Sequence, residues 1–282
     1  MNTVLVTGAT GYIGTPICEL LLERGYTVHG LARSTEAVEK LTAAGISPVR
    51  ASLTDTAALA GAARQADAVI HTALNWGQDA GATDRAAVAA MLDALGGSKK
   101  PFLYTSGVWV MGSTGGRLAG EMFPLNPPPF LAWRPQVERM VLDATERGVR
   151  GVVIRPATCY GREGGIVAKV ASGARPLIGD GENHWSFVHV EDLAELYVLA
   201  LEKAAPGALY VAAHGAAVKV KSLGAALAID GFVPLESARA TFGPLADALA
   251  LDQKIGSTRA GRELGWIPSR PHVLEEIRRA RQ

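Results

Sequence analysis

The sequence predicts an α/β protein, a Rossmann-like doubly wound parallel sheet with a smaller mixed C-terminal substrate lobe. Three observations carry this. Short apolar runs alternate with amphipathic stretches from Thr3 to Arg155, a glycine triplet sits at the first strand-to-helix junction, and the pattern changes after Pro156. Alternating strand and helix with short connections is the signature of parallel strands covered by helices on both faces.

Taken in order, the strands are predicted at Thr3–Thr7, Thr27–Ala32, Pro48–Ala51, Ala68–His71, Pro101–Thr105 and Gly151–Arg155. Each is short and nearly all apolar, as strands buried on both faces must be. Helical periodicity is clearest over Tyr12–Arg24, Ala37–Ala44, Ala57–Arg64, Arg85–Leu95 and Gln136–Arg147. Beyond Pro156, residues 161–185 are rich in Gly and charge, and 187-FVHVEDLAELYVLALEK-203 reads as a short strand running into a helix. Residues 1–160 are therefore expected to form the nucleotide domain, with 187–203 packing back on it. Residues 161–282 are expected to form the smaller substrate lobe.

Composition narrows the function. The 282 residues carry 28 Lys+Arg and 27 Asp+Glu with no long run of either sign, which argues against a nucleic-acid partner or a membrane-binding face. No apolar window approaches the roughly 18 residues of a membrane span. The N-terminal MNTVLVTGATGYIG has no cationic lead and reads as a first strand, not a signal peptide. Two cysteines, Cys18 and Cys159, are too few for a disulfide framework and predict reduced thiols in a cytoplasmic protein. No metal-ligand spacing is present.

The segment 3-TVLVTGATGYIG-14 places Gly8, Gly11 and Gly14 directly after a strand and into a helix. The first glycine permits a tight turn, the second a close backbone approach to a pyrophosphate, and the third close helix packing on the sheet. The helix N-terminus adds free N–H groups and partial positive charge. The second strand ends in Arg33 and Ser34 where an NAD site places a carboxylate. An arginine there can pair with a 2′-phosphate, so NADP(H) is favoured and NAD(H) is the alternative.

These residues resemble the extended short-chain dehydrogenase/reductase family, the NAD(P)-dependent epimerase/dehydratase group, over nearly the whole chain. TGATGYIG resembles its cofactor loop, ADAVIHTAL (66–74) its fourth strand, and FLYTSGVWVMG (102–112) its fifth strand and the following loop. VIRPATCYG (153–161) is similar to its turn beside the nicotinamide, WSFVHVEDLAEL (185–196) to its strand–helix signature, and ELGWIP (263–268) to its ending. The resemblance implies that Gly8, Thr10, Gly11, Tyr12, Ile13 and Gly14 line the pyrophosphate. It implies that Arg33 and Ser34 meet the adenosine ribose or its phosphate and Leu53 the adenine. Thr72, Ala73 and Leu74 then follow the cofactor, with Thr105 and Ser106 near the nicotinamide ribose and Pro156, Ala157 and Thr158 flanking the nicotinamide and substrate. A homodimer through the helices near 85–95 and 136–147 is also implied.

The family's acid–base pair is a tyrosine and a lysine in the spacing YxxxK, followed four residues later by Glu. Counting back from Glu138 gives Arg134 and Phe130, so the stretch 126-NPPPFLAWRPQVERM-140 reads FxxxR. Aligning VMG (110–112) puts Gly107 at the family's catalytic Ser/Thr position. No tyrosine lies between Tyr104 and Tyr160, so no small shift of frame restores the motif. Arg134 can hold ribose hydroxyls more firmly than lysine. The replacement acid–base group is left among several candidates: Tyr160 on the nicotinamide-side turn, His184 near the substrate lobe, Ser106 as an orienting hydroxyl, His71 at the end of the fourth strand, or water. His71 is expected to be buried and hydrogen-bonded. Trp109 and Trp133 read either as packing or as an aromatic wall around a flat apolar substrate.

The expected function is an NADP-dependent oxidoreductase acting on a small carbonyl or alcohol. The alternatives are a catalytically silent NADP(H) sensor and, third, a sugar-nucleotide epimerase or dehydratase.

Overall fold

All seven strands of the main sheet run parallel. The computed structural model describes residues 2–77 and 79–281. In chain order the first half contains β1 (Thr3–Thr7), α1 (Gly14–Glu23), β2 (Thr27–Ala32), α2 (Thr35–Ala43), β3 (Ser47–Arg50), α3 (Thr56–Gln65), β4 (Ala68–His71), α4 (Ala80–Leu95) and β5 (Pro101–Thr105). There follow β6 (Leu118–Ala119), α5 (Arg134–Asp143), β7 (Arg150–Pro156), β8 (Thr158–Tyr160), α6 (Gly165–Ala171), β9 (Leu177–Ile178), β10 (His184–His189), α7 (Val190–Lys203), β11 (Ala208–Ala212) and β12 (His214–Lys219). The chain ends in α8 (Val220–Leu227), β13 (Phe232–Val233), α9 (Leu235–Phe242), α10 (Leu245–Leu249), β14 (Lys254–Ile255), α11 (Arg259–Leu264) and α12 (Val273–Ala280).

The sheet order is β3-β2-β1-β4-β5-β7-β11. The chain winds outward from β1 through β2 to β3, then returns to β4 and winds the other way. The carboxyl ends of β1 and β4 therefore splay apart around a crevice, the usual ligand position in a sheet of this kind. Every residue of β4 and β11 is buried, which explains the apolar run of β11 and of Ala68–Ile70 in β4. Helices α2 and α3 start where Ser34 and Asp55 accept the backbone N–H of Ala37 and Ala58, at 3.1 and 3.0 Å.

The sequence-derived elements differ from the observed ones in instructive ways. Helix α4 starts five residues before the expected Arg85, because AGATD is too small and polar to show a helical stripe. The helix expected over Gln136–Arg147 is α-helical from Arg134 to Asp143, then a 3-10 turn over Ala144–Arg147. The expected division at residue 160 needs correction. Strand β11 pairs with β7 from Ala208↔Val152 to Ala212↔Pro156 and forms the outer edge of the nucleotide-domain sheet. Ile255, Ala260, Leu264 and Trp266 also belong to that domain's core. ALYVA is only five residues long, and periodicity cannot separate so short an apolar run from the end of the preceding helix.

The lobe has its own core around Tyr160, Leu177, Ile178, Trp185, Phe187 and Leu223. Its sheet runs β12-β10-β8, with β10 parallel to β8 and antiparallel to β12. Helix α7 leads back and packs on α1, β5 and β7. Among the described residues no helix is long and apolar enough to cross a membrane.

Candidate active site

The crevice beyond β1 and β4 is one cleft of ≈ 1130 Å³. That exceeds the space a single small ligand occupies and suits a dinucleotide beside a second molecule.

Its glycine end is built by backbone proximity. Gly8 has φ +73°, and a Cβ there would sit 2.7 Å from Thr72 Oγ1. A Cβ on Gly14 would lie 2.0 Å from the Gly8 carbonyl oxygen, so α1 can seat against the turn only with glycine at that position. Thr72 Oγ1 donates to the Thr7 carbonyl (2.7 Å) and ties the end of β4 to β1. The residues present thus fit a pyrophosphate: a tight turn with a clear backbone surface at a helix N-terminus.

The cleft brings together nearly all the residues expected from the sequence. Gly8, Thr10, Gly11, Tyr12, Ile13 and Gly14 line one end; Arg33, Ser34 and Leu53 lie beside them; Thr72, Ala73 and Leu74 form the floor after β4. Thr105, Ser106, Gly107, Trp109, Arg134, Pro156, Ala157 and Thr158 line the far end. Ser34 Oγ caps α2, whereas Arg33 makes no ion pair among the described residues.

At the far end Thr105 Oγ1 and the buried Tyr197 hydroxyl share a hydrogen bond of 2.6 Å. Arg134 Nη1 donates to the Thr105 carbonyl (3.1 Å), which puts the guanidinium next to Ser106. Ser106 Oγ and Arg134 Nε are both buried and have no hydrogen-bond partner. Unpaired buried polar atoms are costly, and both of these belong to residues that line the cleft. Arg134 is fixed by its helix. Glu138, one turn later, grips Arg155 through two bonds of 2.9 and 2.5 Å, with both residues buried. That ion pair bolts α5 to β7, and with it Arg134 to the Pro156–Thr158 turn.

Three expected site residues lie elsewhere. Tyr160 is buried outside the cleft and donates its hydroxyl to the Pro271 carbonyl at 2.6 Å; burial, then Glu276 and Asp192, push its pKa far up. A tyrosine so placed anchors the Pro271 segment to β8. His184 faces a separate surface groove and is bonded through Nδ1 to Asp252 at 2.8 Å. Trp133 packs against Gly81 and donates Nε1 to the Phe130 carbonyl at 3.0 Å, so it braces α4 and does not wall the cleft.

Several cleft residues escaped sequence reasoning. Lys40 and Glu36 on α2 face the Arg33 end; helical spacing from the Ser34 cap could have found them. Trp76, Leu131, Cys159 and Ile166 line the cleft from irregular or short segments with no periodic signal. Burial pushes the Cys159 thiol up to about 12, so it stays protonated near neutrality. A buried chain also runs behind the cleft. Thr7 Oγ1 bonds His71 Nδ1 (2.7 Å), His71 Nε2 bonds Asp84 Oδ1 (3.0 Å), and Tyr104 donates to Asp84 Oδ2 (2.6 Å). It satisfies His71 as expected and fixes α4 to β1, β4 and β5.

Fold and cleft together define a nicotinamide-nucleotide protein. Residues 4–213 match the NAD-dependent epimerase/dehydratase family, and the chain belongs to that family. Among its relatives, an uncharacterised protein of Schizosaccharomyces pombe is 33% identical over 97% of both chains. A 4-hydroxy-2-methyl-3-oxo-4-farnesyl-3,4-dihydroquinoline-1-oxide ketoreductase of Stigmatella aurantiaca is 28% identical over 98% of this chain and 95% of its own. The fold is shared with a dTDP-glucose 4,6-dehydratase from Streptomyces venezuelae solved with NAD, at a TM-score of 0.81 and 21% identity over 99% and 95% of the two chains.

Proposed function

We propose that the protein is an NADP(H)-dependent oxidoreductase acting on a small carbonyl or alcohol, without the family's tyrosine. The observation that carries this is the pair of unpartnered buried donors, Ser106 Oγ and Arg134 Nε, at the far end of a cleft that begins at the glycine turn. The nicotinamide, when bound, supplies or accepts the hydride. Ser106 and the Arg134 guanidinium would polarise the carbonyl oxygen and hold its negative charge as the alcohol forms. Arg134 is too weak an acid to release a proton, so water delivers it. Arg33 and Lys40, both exposed at the opposite end, support NADP over NAD. The relatives include a ketoreductase and a 2-alkyl-3-oxoalkanoate reductase, which suits a carbonyl substrate.

Phe130 and Arg134 in place of the YxxxK pair support a second reading, a sensor that binds NADP(H) without turnover. A sugar-nucleotide reaction ranks third. Two free thiols suit a cytoplasmic setting, and α4 and α5, joined by Arg85 Nη2 to Gln136 Oε1 (3.0 Å), are the faces for a homodimer.

Calorimetric titration with NADP⁺, NADPH, NAD⁺ and NADH, followed by a carbonyl screen, tests the proposal. We expect NADP⁺ and NADPH to bind with similar affinity and NADPH to be consumed. Strong preference for one redox form with no turnover would establish the sensor, and tight NAD with no NADP binding would remove the role given to Arg33.

A further inference from the structure

We infer that the substrate end of the cleft takes a 2-oxo acid, a ketone whose neighbouring carboxylate is held by the Arg134 guanidinium. This deepens the oxidoreductase reading above and rests on it.

The protein treats its two buried arginines differently. Among the described residues these are Arg134 and Arg155. Arg155 has its counter-charge, since both Glu138 oxygens accept from it. Arg134 makes no ion pair among the described residues, although it is only 7% exposed. Of the five N–H donors of a guanidinium it spends one, from Nη1 to the Thr105 carbonyl, and Nε is buried without a partner. Trp133 stacks near the cation, 5.0 Å from ring centroid to Cζ, and offers it no negative charge. Asp84 lies near enough to feel the guanidinium, but its two oxygens are bonded to His71 and Tyr104 and form no ion pair with it. Buried charges in proteins are as a rule paired, because an uncompensated one is strongly destabilising. Arg134 lines the cleft, so a bound anion can supply the partner that the chain does not.

Charge and shape select the anion. One buried cation balances one negative charge, and a carboxylate carries one. Its two oxygens match the planar guanidinium through two parallel hydrogen bonds. A phosphate dianion would bring a second charge with no cation to meet it, near the already negative Asp84. The reacting carbonyl belongs beside the carboxylate. Ser106 directly follows Thr105, whose carbonyl Arg134 holds, and the Ser106 hydroxyl also lacks a partner. Arg134 thus has donors enough to grip the carboxylate and still share the carbonyl oxygen with Ser106. Val108, Trp109 and Leu131, also lining the cleft, offer apolar surface to the rest of the molecule.

A matched pair of probes tests this: 2-oxo-4-phenylbutanoate and 4-phenyl-2-butanone, in which a methyl group stands in place of the carboxylate. Binding to the protein saturated with NADP⁺, which blocks reduction, is read by calorimetry; NADPH oxidation is read separately. The keto acid is expected to bind at least about tenfold more tightly than the ketone, the scale of a hydrogen bond to a charged group. Arg134→Gln should close that gap while leaving NADP⁺ affinity within about twofold, and Arg134→Lys, which keeps the charge and loses the two-point fit, should restore part of it. Equal or tighter binding of the ketone by the unaltered protein overturns the inference without any variant. So does a preference that survives in Arg134→Gln, which would put the anion elsewhere. An equal loss of NADP⁺ and keto acid in Arg134→Gln, with the fold intact by circular dichroism, would assign the guanidinium to the cofactor and also overturn it. Selective keto-acid binding without NADPH oxidation upholds the inference and removes the oxidoreductase reading. NADPH oxidation by the ketone with no preference for the keto acid does the opposite.

Discussion

The two ends of the cleft are made by different means. At the glycine end the surface is backbone: a Cβ on Gly14 or Gly8 would meet an atom 2.0 or 2.7 Å away, and one on Gly11 would be tight at 3.0 Å. At the substrate end it is side chains on irregular segments, and the backbone is roomy. Gly107, at the family's catalytic hydroxyl position, has extended backbone, and the nearest heavy atom to an added Cβ is the Pro156 carbonyl oxygen at 4.0 Å. Geometry that depends on the absence of atoms tolerates almost no substitution; geometry made of side chains can drift while the fold persists. The same chain can therefore keep its cofactor turn and lose a tyrosine.

The contrast breaks most visibly at paired glycines. Gly14→Ala pushes a carbon to 2.0 Å from the Gly8 oxygen and must displace the turn or the helix. Binding of NADP⁺ should weaken at least about a thousandfold, about 4 kcal/mol, by calorimetry, with circular dichroism checking that the fold survives. Gly107→Ser should leave the nucleotide affinity within about twofold, on the general scale of an unstrained substitution. Equal losses at both positions would abolish the distinction between the two ends.

A next-largest effect is expected where the ends are joined. Removing Glu138 leaves the buried Arg155 guanidinium without its partner, and an uncompensated buried charge is strongly destabilising. Glu138→Ala should lower the unfolding free energy by about 3 kcal/mol or more, read from urea denaturation. Because Glu138 also sets the register of α5, ketone binding should fall further than NADP⁺ binding. The opposite order would mean that α5 serves the cofactor and not the substrate end.

How much of this was legible follows the same division. Four of the first six strands are bounded as the sequence implies, since β1, β2, β4 and β5 are buried apolar runs between clear breaks. The nucleotide end was legible because glycine spacing encodes a backbone shape directly. Strand β11 was not, because five apolar residues after a helix carry no distinctive period. The substrate end was read in part: Ser106, Gly107, Trp109 and Arg134 came from their places in family motifs, whereas Trp76 and Ile166 converge only through tertiary packing. Tyr160 and His184 were misplaced for a related reason. Motif order locates a residue along the chain, but their hydroxyl and ring are spent on Pro271 and Asp252, partners 111 and 68 positions away.

The smallest expected effect compares the acid sensitivity of the two halves. In the lobe, His214 and His272 meet edge to face at a centroid distance of 6.1 Å, and each has one buried ring nitrogen without a partner. Burial, then the neighbouring His214, lower the His272 pKa, against an opposing backbone bond at Ala216 and the Glu275 charge. Arg270, Glu275 and Arg279 line the same groove. Burial also lowers His189, which is the N-cap of α7. A histidine whose folded pKa is depressed leaves the unfolded chain holding more protons once the pH drops below about 6.5, so stability falls with pH from there and is complete above it. In the nucleotide half the sign is the same but the window lies lower. Burial alone would raise Asp84, but the bonds from His71 and Tyr104 bring it below its ordinary value. Its contribution is therefore intact at mild acidity and is lost only as the pH falls below about 4. Between pH 7.5 and 5.5 the melting temperature should decline, with the Trp185 environment in the lobe changing first. His272→Gln should flatten part of that decline, leaving the His189 share. An unchanged slope in His272→Gln would locate the acid sensitivity outside this pair and remove the difference between the halves.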